Sequence, residues 1–183
     1  NFGTYTLVKT ENISDVTNPL TAITITGLAE NNTYYFIARD EDPTGNNSSN
    51  TNVVSIHIND LTPPSFTGVS ALANGTPADT VITATWTAIT NQPADSNGAS
   101  FYLIYVTPAA SDPCAAGVAV RTQLASSAYT ATQVVNYDIT GLTSRTAYKV
   151  CVKAMDADGN VSVTTSSVSK TTKDITAPLF DGI

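Results

Sequence analysis

The sequence predicts an all-β protein, on three observations. Threonine, serine, asparagine, valine and alanine dominate the 183 residues, and threonine and β-branched side chains fit half-buried, pleated strands. Clusters such as Gly45-Asn46-Asn47-Ser48 and Ala94-Asp95-Ser96-Asn97-Gly98 have the composition of turns. No stretch spaces its apolar residues at a helical period.

The strands are clearest between residues 60 and 173. Phe66 and Val69 open a first strand after Pro63-Pro64. Residues 80–86 alternate, with Ile82, Ala84 and Trp86 facing inward and Thr83 and Thr85 facing water. Residues 101–106 are apolar on both faces, which leaves their phase ambiguous; Tyr102, Ile104 and Val106 are the expected inward set. A short strand is expected near 120–124, and another carries Tyr137 and Ile139 and ends at Leu142. In 148–154 the lysines make the alternation clean, so Tyr148, Val150, Val152 and Ala154 face in. A last strand runs over about 163–170.

Self-similarity is the strongest signal in the chain. Ile25-Thr26-Gly27-Leu28 recurs as Ile139-Thr140-Gly141-Leu142, an offset of 114 positions. Without a gap, the same offset carries Tyr34 onto Tyr148, Asp42 onto Asp156 and Gly45-Asn46 onto Gly159-Asn160. It also carries Asp60-Leu61-Thr62-Pro63-Pro64-Ser65-Phe66-Thr67-Gly68 onto Asp174-Ile175-Thr176-Ala177-Pro178-Leu179-Phe180-Asp181-Gly182. Residues 1–59 then read as the C-terminal half of a unit, 60–173 as one complete unit, and 174–183 as a linker with the first strand of a following unit. This phase leads to the expectation of a fragment from a longer array, whose proline-containing joints act as semi-rigid spacers.

Trp86, Gly141-Leu142 and the run Thr146-Ala147-Tyr148-Lys149-Val150-Cys151-Val152-Lys153-Ala154 resemble the fibronectin type III pattern. The step from Leu142 to Tyr148 resembles that family's tyrosine corner, and Leu28 and Tyr34 repeat it. The resemblance implies tandem immunoglobulin-like β-sandwiches with Trp86, Leu142, Tyr148, Leu28 and Tyr34 as structural core residues. It places Cys151 on a strand beside the one that precedes Cys114, so a disulfide between them is expected over the alternative of two free thiols. It also gathers Asp60, Asp95, Asp156, Asp158 and Asn160 at one pole, an oxygen-rich set that calcium would suit. The plainer reading of those aspartates is turn capping and solubility. The Arg-Gly-Asp tripeptide of some members is absent.

Nothing in the sequence points to catalysis. The one histidine, His57, alternates with isoleucines in Ser55-Ile56-His57-Ile58 and reads as a plain strand residue. No phosphate loop, Cys-x-x-Cys pair or His-Glu-x-x-His helix occurs, and no organic cofactor is expected. A net charge of -7 with only eight Lys+Arg argues against nucleic acid, and no apolar run would insert this segment into a membrane.

The expected function is that of a non-catalytic spacer or adhesion module in a secreted or cell-surface protein. Its expected partners are neighbouring domains of the same chain and a protein or glycan ligand. A spacer within a secreted hydrolase is the alternative, and a filament subunit using strand addition a third. Ligand contact is expected at residues 91–98 and 156–161, or on a sheet face carrying Tyr105, Lys149 and Lys153.

Overall fold

The computed structural model describes residues 24–49, 52–91 and 98–182. It divides into two compact units, Asn1–Asn59 and Asp60–Ile183. The chain is all-β: every sheet is antiparallel, and the one helical element among the described residues is a 3₁₀ turn at Ser126–Ala128.

The described part of the first unit pairs β1 (Asn32–Phe36) with β2 (Val54–Ile58). The register sets Tyr34 opposite Ile56 and Phe36 opposite Val54, so one face is apolar. The rings of Tyr34 and Phe36 stack at 6.5 Å. His57, on the other face, shares a 3.1 Å hydrogen bond with the Thr33 hydroxyl across the strands and is exposed. It has the role of a strand residue.

The second unit is a sandwich of two sheets. One contains β3 (Ala71–Asn74), β4 (Ile82–Thr87) and β7 (Val134–Ile139), with β4 in the middle. The other runs in the order β6 (Thr122–Ala125), β5 (Phe101–Pro108), β8 (Ala147–Met155) and β9 (Ser167–Thr171). Ile82, Ala84 and Trp86 from β4 meet Tyr102 and Ile104 from β5 and Val150, Val152 and Ala154 from β8 in one buried core. Phe66 and Trp86 both pack on the Tyr102 ring, at 5.5 and 5.6 Å. The Tyr102 hydroxyl accepts the Ile89 N–H at 2.9 Å, which satisfies its one polar atom in the core. On the solvent face of β4, Thr83 donates to Asp138 and Thr85 to Asn136, at 2.6 and 2.8 Å.

The inward sets expected for 80–86 and 148–154 are buried or half-buried as read. Two boundaries differ. The first ladder begins at Ala71, leaving Phe66 and Val69 buried in an extended lead-in, and the last begins at Ser167. Side-chain hydrogen bonds tie both lead-ins down: the Thr164 hydroxyl donates to the Phe66 carbonyl at 2.7 Å, and the Ser162 hydroxyl oxygen accepts the Ala154 N–H at 3.0 Å.

The two units share local geometry at the offset of 114. Tyr148 accepts the Thr143 N–H at 3.0 Å, and Tyr34 accepts the Ala29 N–H at 2.8 Å. Left-handed φ values also pair, with Asn31 at 55° and Arg145 at 53°.

Candidate functional site

The turn after β8 is built around one carboxylate. Asp156 Oδ1 accepts the Asn160 backbone N–H at 2.8 Å and Oδ2 accepts the Asn160 side-chain amide at 2.8 Å. The same Asn160 Nδ2 donates to the Asp60 carbonyl at 2.8 Å. Asp60 in turn accepts the Thr62 N–H through Oδ1 at 2.8 Å, while its buried Oδ2 has no hydrogen-bond partner. Both aspartates are enclosed, at 2% and 1% exposure.

Of the five residues expected at this pole, the structure brings Asp60, Asp156 and Asn160 together. Asp158 is exposed on the turn, and Asp95 lies outside the described residues. Asn160 donates its NH₂ to both neighbours, so Oδ1 is the only side-chain atom with which it could meet a cation. Among the described residues no group of three or more His, Cys, Asp or Glu side chains is arranged to hold a metal.

The first unit repeats this turn. Asp42 Oδ1 accepts the Asn46 N–H and Oδ2 its side-chain amide, each at 2.9 Å. The amide of Asn46 and the hydroxyl of Thr44 hold the Asp42 carboxyl well below the usual aspartate range.

A second cluster lies on the outer face of the four-stranded sheet. Cys114 and Cys151 form a disulfide, with Cα atoms 5.5 Å apart. It anchors the segment between β5 and β6 over Leu103 and Tyr105, which are buried with the two cysteines. Lys153 Nζ donates to the Cys114 carbonyl at 3.0 Å and stands 5.6 Å from the Tyr105 ring centroid. The face expected to offer Tyr105, Lys149 and Lys153 to a ligand is therefore occupied in part by the chain itself. Tyr105 is only 9% exposed, and burial pushes its phenol pKa up, so it stays neutral at physiological pH.

A shallow groove of about 400 Å³ lies among Ser65, Thr87, Ile89, Thr90 and Thr132. Among the described residues no titratable side chain lines it. Thr132 at its lip has φ 67°, an unusual value for a β-branched residue. Among the described residues, no helix is long and apolar enough to cross a membrane.

No family model matches the chain. It is 32% identical over 158 residues to Exoglucanase B of Cellulomonas fimi, a match covering 84% of this chain and 13% of that enzyme. It is also 32% identical over 164 residues to Chitinase A1 of Niallia circulans, covering 86% of this chain and 20% of that enzyme. The chain therefore spans a fifth or less of each relative. It is similar to a small part of two enzymes named for different polysaccharides.

Proposed function

We propose that the chain is a non-catalytic, fibronectin type III-like segment that serves as an accessory spacer in an extracellular polysaccharide-degrading enzyme. The observation that carries this reading is the shared stretch: a sequence 32% identical to this chain makes up a small fraction of an exoglucanase and of a chitinase. Enzymes named for different substrates that share such a part must differ in the part that acts on substrate. The lone histidine tied into a strand pair agrees with this. The buried disulfide fits an oxidising, extracellular compartment.

The spacing role follows from the repeat. Proline-containing joints act as semi-rigid spacers between whatever flanks them. A surface-adhesion stalk is the second reading, supported by the same repeat. In that case the ligand would contact residues 91–98, of which 92–97 lie outside the described residues, and the turn at 156–161.

The purified chain, incubated with soluble and insoluble glucan and chitin, is expected to release no reducing sugar. Turnover that scales with chain concentration and survives repurification would refute the non-catalytic reading.

A further inference from the structure

The turn that joins β3 to β4 closes on the end of β9. Asn74, the last residue of β3, donates its side-chain amide to the Thr171 carbonyl at 3.1 Å and to the Ala78 carbonyl at 3.4 Å. The Ala78 carbonyl also accepts the Lys173 backbone N–H at 2.9 Å. β3 and β9 are edge strands of different sheets, so this amide clips the two sheets together where β9 ends. Both of its acceptors are carbonyls, and only a donor fits between them.

The next residue is fixed for a different reason. The Gly75 N–H donates to the Val81 carbonyl at 3.0 Å, which closes the turn. A Cβ at position 75 would run into Val81 Cγ1, so a larger residue would force the turn to shift. Donor chemistry selects asparagine at 74, and packing selects glycine at 75. Together they place an Asn-Gly pair at the clip.

An asparagine followed by glycine is open to attack by the next backbone nitrogen, because glycine has no side chain in the way and bends freely. When the Gly75 nitrogen attacks Asn74 Cγ, the N–Cγ bond forms and the Cγ–Nδ2 bond breaks. The Gly75 proton passes through solvent to the departing Nδ2, which leaves as ammonia. Water then opens the cyclic imide to aspartate or isoaspartate. Nothing is oxidised or reduced, and water is the sole co-reactant. In the folded chain both reacting nitrogens are engaged: Val81 holds the Gly75 N–H, and Thr171 and Ala78 hold Asn74 Nδ2.

We propose that Asn74 is a deamidation site gated by opening of this turn, and that its conversion releases the clip irreversibly. The product is a carboxylate with no proton to offer, facing two carbonyl oxygens that have lost their donor. Isoaspartate also lengthens the backbone at 74 and draws Gly75 away from Val81. A molecule that has once opened here stays loosened at Lys173, where the chain leaves the sandwich. This holds whatever protein surrounds the unit, so it stands apart from the spacer reading.

The test follows the full chain by peptide mass mapping in mildly alkaline buffer, with and without unfolding urea. In urea Asn74 is expected to convert along with Asn97, which precedes the other Asn-Gly bond of the sequence. Without urea, conversion at Asn74 is expected to be at least about tenfold slower, because the turn must open first. Asn74→Asp makes one product directly. It is expected to lower the melting temperature by about 4–10 °C and to speed exchange of the Lys173 amide by about tenfold. Asn74→Ala removes the donors without adding charge, and keeps the test open should the aspartate variant not fold; it is expected to speed the same exchange severalfold. Equal conversion at Asn74 with and without urea would overturn the gating. Unchanged exchange at Lys173 in the variants would overturn the clip.

Discussion

Replacing Cys114 and Cys151 together by alanine is expected to destabilise the second unit by about 4 kcal/mol. The disulfide closes a loop over a sequence separation of 37 residues. In the chain-entropy treatment a loop of that length removes about 13 cal/mol/K from the unfolded ensemble, or about 4 kcal/mol at 25 °C. For a unit of this size each kcal/mol moves the midpoint by about 4 °C, so the melting temperature should fall by about 15 °C. Far-ultraviolet circular dichroism should keep its native shape below the transition, since the bond lies on the outer face and the main core does not include it. The assay is a thermal melt of the full chain and the variant, repeated in urea to obtain the free energy. A loss under about 1 kcal/mol would refute the reasoning. It would mean that the segment anchored by Cys114 is held over Tyr105 by packing and by the Lys153 bond alone.

Three further outcomes follow from single sites. Asp42 has a folded pKa below its ordinary value of 3.8, so its contribution is present above that value and is lost as pH falls through the lower folded pKa. The Asn46 amide resonance should therefore stay flat from pH 7 to pH 4 and move only below; a midpoint near pH 4 would show that the turn bonds do not form. Thr132→Gly should raise stability by about 0.5–1 kcal/mol, as relief at φ 67° outweighs the entropy of glycine; a loss in the denaturant midpoint would contradict this. With the Asn160 amide set between Asp60 and Asp156, the melt should be the same in calcium and in chelator; a rise in calcium would mean that the free Asp60 oxygen recruits a cation.

Local hydrogen-bond chemistry was readable from the sequence because it depends on near neighbours. The Tyr148 hydroxyl reaches the Thr143 N–H five residues away, and the spacing from Leu142 already implies the contact. The phase of residues 101–106 was ambiguous for a reason visible only in three dimensions. Tyr102 and Ile104 face the main core, while Leu103 and Tyr105 lie under the segment anchored by Cys114, so both faces are buried and alternation vanishes. The hydrogen bonds of Ser162 and Thr164 were hidden for a similar reason. Ser162 and Thr164 look like solvent-facing strand residues, and their partners Ala154 and Phe66 come from other parts of the chain. Asn160 was read for its oxygen; its amide nitrogen also ties Asp60 to Asp156, a role that depends on residues 100 and 4 positions away.

The proposed function makes this chain a non-catalytic accessory to catalytic domains elsewhere in its protein. The measurement that tests it most directly is the sequence of the encoding gene, read outward from both ends of this segment. A polysaccharide-hydrolysing catalytic domain in the same reading frame, beside further units of the same repeat, is the predicted result. A frame with a surface anchor, more repeats and no catalytic constellation would contradict the accessory-spacer account and favour the adhesion stalk.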